Sequence, residues 1–340
     1  PRSSNIQILN SIGELPHVAS FNPLRYGKSN EVFAKAKRLE SRYLKNIYQV
    51  QIETDVDVDL WLKRARLFDN VIYAEKESQV ELLLIPDDVR LASQKYLENI
   101  RAFDAWDLTR GDSSIRIGIS DAGVDYNHED LMGKLAVNHL DPINGIDDDG
   151  NGYVDDYIGW DLADSDNDPV GDTPLRNPSH GTMVAGISNA STNNGKGIAG
   201  VGFDTKYVPI KIFKSSNGFA AGTYQSIIYA ADLGLDVLNM SWGSRSTPSL
   251  LLQDIINYAV LEKNMVLVAA AGNTDAELDY YPASYDHVLS VAMSDLEDEK
   301  HAFGTYSYHV DLMAPGGSIL STKNNDSYGS DLGSSYAAPQ

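Results

Sequence analysis

Five short apolar runs, residues 115–119, 207–213, 237–240, 266–270 and 288–292, recur along the second part of this chain. Between them, residues 181–189, 223–233 and 249–262 carry apolar side chains at helical spacing. Strands that alternate with helices predict an α/β fold with a parallel sheet covered on both faces. Open sheets of this kind place their sites beyond the carboxyl ends of the strands. Asp121, Ser241 and Asn273 each follow one of the apolar runs.

Three segments then carry chemistry. Asp121 stands in Ser-Asp-Ala-Gly-Val, His180 opens His-Gly-Thr-Met-Val-Ala-Gly, and Ser335 stands in Gly-Ser-Ser-Tyr-Ala-Ala-Pro. Each has an ordinary reading alone: a turn or cap for Asp121, a cap or buried hydrogen-bonding group for His180, a helix N-cap for Ser335. As a set they have one strong use. A serine hydroxyl is a poor nucleophile at neutral pH, a histidine can take and return its proton, and a carboxylate can hold the histidine tautomer. Asn273 could donate to an oxyanion or form a turn. An esterase of the Gly-x-Ser-x-Gly type would need the order Ser, Asp, His, which this chain does not follow.

The order Asp, His, Ser resembles that of the subtilisin-like serine proteases, the subtilase family, from about residue 86 to 340. Residues 236–243, 266–273 and Ala314-Pro315-Gly316 match further family segments. The resemblance implies a subtilisin-like parallel sheet flanked by helices. It also implies a serine endopeptidase with Asp121, His180 and Ser335 as catalytic residues and Asn273, with the Ser335 N–H, as oxyanion donor. Ser241, Trp242, Gly243, Ala271 and Gly272 would bind polypeptide substrate, and Tyr280 would lie near the base of the pocket and favour a small side chain. The chain departs from the family at Ala122 (usually Ser or Thr), Met183 (usually His), Ser334 and Tyr336 (usually Thr and Met), and Gln340 (often His). It ends five residues past Ser335, whereas family members continue well beyond, so the resemblance implies a C-terminally truncated catalytic domain. A subtilase that has lost activity and serves as a binding module is the competing reading.

Residues 48–53 alternate as a strand, 58–68 have near-helical spacing, and 70–74 read as another strand. This pattern is similar to the subtilase propeptide. It implies that residues 1–85 are a small α+β (ferredoxin-like) propeptide domain, an intramolecular inhibitor that would make the precursor a zymogen, and that 86–340 are the catalytic domain. The expected junction lies between residues 78 and 88, where Pro86-Asp87-Asp88 gives an exposed linker signal.

Asp147, Asp149 and Asn151 place oxygen side chains at alternate positions, with Gly152 to turn the chain and Asp155 further on. This is the first part of a calcium loop, although Ile158 stands where a bidentate Glu would complete it. A solvated acidic loop is the alternative. By the resemblance, Asp130 and Asn193 belong to a second calcium site.

The net charge of −21 argues against nucleic acid as a partner. Cysteine is absent, which excludes a thiol nucleophile and disulfides. No apolar run approaches the length of a membrane span. The family resemblance implies secretion; residues 1–340 do not themselves contain a signal peptide pattern.

Overall fold

The computed structural model describes residues 18–23, 48–52, 57–69, 71–75, 85–172, 174–245 and 247–340. The chain divides into two compact units, Pro1–Glu81 and Leu82–Gln340.

In the first unit, β1 (Val18–Pro23) pairs antiparallel with β2 (Tyr48–Ile52). Helix α1 (Val58–Ala65) follows; the Asp57 side chain caps it by accepting from Leu60 N at 3.1 Å, and Trp61 and Ala65 are buried. The strand expected at 70–74 does not form among its described residues, 71–74. Arg66, just past α1, instead donates to the Ala74 carbonyl from Nε at 2.9 Å and Nη2 at 2.6 Å, folding this segment back on the helix end. Residue 70 and the expected junction up to residue 84 lie outside the described residues.

The second unit is built on a seven-stranded sheet of order β4-β5-β3-β6-β7-β8-β9, with every neighbouring pair parallel. The strands are β3 (Arg116–Asp121), β4 (Trp160–Asp161), β5 (Lys206–Lys211), β6 (Val237–Met240), β7 (Val266–Ala270), β8 (Val288–Ser294) and β9 (Leu312–Pro315). From β3 the chain goes out to β4 and β5 on one side, then returns to β6 on the other. The carboxyl ends of β3 and β6 therefore flank the switch point, where a crevice opens in sheets of this kind.

Alternate residues of each strand face opposite layers. Ile210, Leu238, Met240, Leu267 and Ala269 pack against α5 (Thr223–Asp232) and α6 (Leu250–Asn257). Helix α6 continues as a π-helical turn over Tyr258–Glu262. Ile119 and Tyr207 face α4 (His180–Asn189), α2 (Tyr96–Asn99) and α3 (Ala102–Leu108), through Met183, Val184, Leu97 and Trp106.

Helix α4 is almost wholly buried, which explains its small residues. A Cβ at Gly181 would come within 2.2 Å of the Gly123 carbonyl, so only glycine lets the helix start against the turn after β3. On its far side runs the antiparallel hairpin β10 (Ile319–Lys323) and β11 (Ser327–Asp331). Ser321 Oγ and Thr322 Oγ1 donate to the Met183 and Thr182 carbonyls at 2.6 and 2.7 Å. The short helix α7 (Ser334–Ala337) follows β11 and packs over the ends of β7, β8 and β9.

Candidate active site

Asp121 ends β3 and is 1 % exposed; His180 begins α4. His180 Nδ1 lies 2.7 Å from Asp121 Oδ1. A buried carboxylate can only accept, so Nδ1 carries the proton and Nε2 is left as a base. Burial alone would depress the His180 pKa, but the charge and hydrogen bond of Asp121, with a further pull from Asp331, raise it above the usual 6.5. Asp121 Oδ1 also accepts from Ala122 N at 2.7 Å, while Asp121 Oδ2 is buried without a hydrogen-bond partner among the described residues.

Ser335 sits in the first turn of α7. Its hydroxyl donates to the Ser241 carbonyl at 3.0 Å, and the Ser241 hydroxyl donates to the Ser335 carbonyl at 2.8 Å. This reciprocal pair ties α7 to the end of β6. Among the described residues Ser335 has no hydrogen bond to His180. The next residue, Tyr336, does reach the histidine: its ring lies 5.4 Å from the imidazole, centroid to centroid.

Asn273 follows β7. Its Oδ1 accepts from Ser334 N at 2.7 Å and Ser334 Oγ at 2.9 Å, and Gly272 N donates to Ser334 Oγ at 3.1 Å. Two donors on Oδ1 fix the amide orientation and leave Nδ2 to donate elsewhere. The Ser335 N–H, at the start of α7, has no intrahelical acceptor. Among the described residues the arrangement thus offers a base on α4, a hydroxyl on α7 and two donors without an acceptor, on α7 and the turn after β7. Ser334 holds Asn273 in place, a role that the sequence pattern did not reveal.

Of the other expected site residues, Trp242 donates from Nε1 to Ser120 Oγ at 3.0 Å. Tyr280 lies between Gly243 and Gly272. A Cβ at Gly272 (φ +110°) would fall 2.7 Å from the Tyr280 ring, and one at Gly243 would fall 3.7 Å from it. The Tyr280 hydroxyl is held by Arg245 Nε at 2.9 Å and Thr274 Oγ1 at 2.8 Å. Ala271 is buried, and its N–H donates to the Val291 carbonyl at 2.9 Å.

The expected metal residues fall in two places. Asp147 accepts from Gly150 N and Asn151 N on Oδ1, at 2.7 and 3.1 Å, and from Gly152 N on Oδ2, at 2.9 Å. Asp149 Oδ2 accepts from the Asn138 amide at 2.9 Å, and Asn151 donates to Asp149 and Asp156 at 3.3 and 2.9 Å. Asp155 is engaged by Asn144 N and Gly145 N, at 2.7 and 2.8 Å. Among the described residues no three His, Asp or Glu side chains form a metal-binding group by themselves.

The second place is more telling. Asp130 is fully buried and accepts from Asn194 Nδ2 and Ile198 N, both at 2.8 Å. Asp88, 4 % exposed, accepts from Asn193 N at 2.8 Å and Asn194 N at 3.4 Å. The Asn193 side chain itself accepts from Asp87 N at 3.2 Å, so Asn194, not Asn193, reaches Asp130. Burial raises the pKa of both carboxyls, and the charge of Asp130 adds to the rise at Asp88. Sequence reasoning missed Asp88 and Asn194, whose approach to Asp130 is made only by the fold.

The fold and this constellation define a family. The chain belongs to the subtilase family, whose model matches residues 112–340. It is 35 % identical over 271 residues to the thermophilic serine proteinase of Bacillus sp. (strain AK1), covering 79 % of this chain and 61 % of that protein. It is 37 % identical over 256 residues to thermitase of Thermoactinomyces vulgaris, covering 75 % of this chain and 81 % of thermitase. Among solved structures it is similar to the proteases of Pseudoalteromonas arctica PAMC 21717, with a TM-score of 0.60 and 29 % identity over 75 % of this chain and 84 % of that one. The mostly parallel sheet flanked by helices is the subtilisin-like fold. No described helix is long and apolar enough to cross a membrane.

Proposed function

We propose that this protein is a serine endopeptidase in which Ser335 is the nucleophile, His180 the general base and acid, and Asp121 the residue that holds the His180 tautomer. The observation that carries the reading is the 2.7 Å bond between His180 Nδ1 and the buried Asp121, with Ser335 on the adjoining helix turn. The Ser335 hydroxyl swings from the Ser241 carbonyl toward His180 Nε2 and gives up its proton as Oγ attacks the substrate carbonyl. Asn273 Nδ2 and the Ser335 N–H receive the oxyanion, and His180 returns the proton to the leaving amine. Ser241–Gly243 and Ala271–Gly272 flank the substrate chain as neighbouring strands.

Residues 1–85 act in this reading as an inhibitory propeptide, and 86–340 as the catalytic domain. The test is fluorophosphonate labelling in calcium, read by intact mass before and after limited proteolysis of the first unit, with Ser335→Ala as control. One adduct on Ser335 that appears after proteolysis supports the whole reading. No adduct in either state sinks the hydrolase.

Tyr280 narrows the pocket for the residue before the scissile bond. Tyr280→Gly is expected to raise kcat/KM for peptides with Phe or Leu at that position by roughly 10- to 200-fold relative to Ala. An unchanged preference would remove Tyr280 from the pocket.

The protein is stabilised by calcium in the same reading. Asp88 and Asp130 are two buried carboxylates that are held by amides, and a divalent cation would offset their mutual repulsion and desolvation. Asp88, Asp130 and Asn194 would hold one ion, and Asp147, Asp149 and Asn151 another, with backbone carbonyls completing each set. Chelation is expected to lower Tm by roughly 5–10 °C, the effect of losing a ligand at about 100 times its Kd. Asp130→Asn should abolish most of that response, and a Tm indifferent to chelator would refute the proposal. A cysteine-free chain stapled by weak calcium sites suits the calcium-rich exterior of the cell, and we infer that the protein is secreted.

A further inference from the structure

An acidic arm beside His180 has no part in the mechanism above. The ring of Tyr336 packs against the His180 imidazole, with the planes inclined at 47°. The Tyr336 hydroxyl donates to Asp331 Oδ2 at 3.1 Å. Asn177 Nδ2 donates to the same oxygen at 2.7 Å and to the Tyr336 hydroxyl at 3.0 Å. Leu332 N donates to Asp331 Oδ1 at 2.8 Å, so both oxygens of this carboxylate are held.

Asn177 leads directly to the histidine. The His180 N–H bonds to the Asn177 carbonyl at 3.2 Å, and the Asn177 side-chain oxygen accepts from Ser179 N at 3.1 Å. Asp331 is thus joined to His180 by two routes, a packed ring and the backbone turn that starts α4. Burial and the nearby Asp331 charge push the Tyr336 hydroxyl well above its ordinary pKa, so it stays a donor. The contrast with Asp121 is informative: that carboxylate bonds Nδ1 through one oxygen and leaves the other buried and unpartnered among the described residues.

We propose that Asp331, held by Tyr336 and Asn177, is a positioning residue that fixes the His180 ring and shares with Asp121 the stabilisation of the imidazolium. Among the described residues, Asp121 from β3 bonds the ring, Tyr336 from α7 packs on it, and the Asp331 charge from β11 acts on it from behind Tyr336. The catalytic consequence rests on the reading of His180 as general base; the electrostatic one does not.

The test is the titration of His180 in the full chain carrying 13C-labelled histidine, followed by NMR and assigned with His180→Gln. Asp331→Asn removes a negative charge, so the imidazolium should lose its proton at lower pH, with the midpoint falling by roughly one pH unit. Tyr336→Phe keeps the ring but removes one of the three donors that hold the Asp331 carboxylate, and should give part of that fall. In the active enzyme the acid limb of kcat/KM should move with the NMR midpoint. An unchanged midpoint in folded Asp331→Asn overturns the proposal; if that variant does not fold, an unchanged midpoint in Tyr336→Phe does so. Labelling of Ser335 is scored separately. A shifted midpoint without labelling keeps this inference and sinks the hydrolase, and labelling without a shift does the reverse.

Discussion

Ser335→Ala is expected to lower kcat of the proteolysed protein by on the order of 10⁶-fold, the scale on which a Ser-His-Asp triad fails when one member is removed. The loss should fall on kcat, with KM little changed, because among the described residues the hydroxyl bonds to the Ser241 carbonyl alone and its absence leaves the Ser241–Gly243 edge standing. The Ser241 hydroxyl still reaches the Ser335 carbonyl at 2.8 Å through a backbone atom that alanine retains, so α7 stays attached to β6. A folded Ser335→Ala protein that cleaves peptides within tenfold of the original would refute the assignment. Steady-state hydrolysis of a chromogenic peptide decides it.

Asn273→Ala is expected to cost about 10²–10³ in kcat, or roughly 3–4 kcal/mol of transition-state stabilisation. Only Nδ2 acts in that role, because Oδ1 is occupied by Ser334 N and Ser334 Oγ. Asn273→Asp sharpens the test. It keeps an acceptor for Ser334 but replaces the donor by a charge that repels the oxyanion, so it should be at least as damaging. If Asn273→Asp retained full kcat, another donor would have to hold the oxyanion. Ser334→Ala should give a smaller loss, since it removes only the hydroxyl that bridges Gly272 and Asn273.

The parallel sheet was legible because its strands are largely buried and written as predominantly apolar runs, with single polar residues such as Asn239 and Ser290 inside them. Residues 237–240 and 266–270 form β6 and β7 as expected, and the runs at 115, 207 and 288 shift by a residue or two at their ends. The edge strand β9 was not legible: it has four residues, two of them exposed, and ends in proline. Nor was the β10–β11 hairpin, whose second strand, Ser-Tyr-Gly-Ser-Asp, has no apolar alternation and is ordered by its partner β10, itself bonded to α4. The expected strand at 70–74 gave way to a local alternative, the Arg66 side chain on the Ala74 carbonyl.

Within the candidate site, Asp121, His180, Ser335 and Asn273 could be picked out because each sits in a short segment of small residues. Asp88, Asn194, Asp331 and Ser334 could not. Their significance comes from contacts across long stretches of chain, such as Asp88 with Asn193 over 105 residues, and no local pattern encodes such a meeting. Asp331 would pass in the sequence for a surface acid at the end of a polar strand.

The grip of Asp87 and Asp88 on the loop after α4 bears on how long the enzyme would last. Gly195 N donates to Asp87 at 2.8 Å and Asn193 N to Asp88 at 2.8 Å, so the beginning of the second unit is laced to a loop that leads away from His180's own helix. In the proposed reading, a cut just upstream would create a loose chain end in a solution full of protease. An end held at residues 87 and 88 cannot peel into an extended substrate for the next molecule without first breaking that lacing. Self-digestion would then be limited by how often the seam opens, and the calcium ion proposed at Asp88 would lengthen the working lifetime while leaving each turnover untouched.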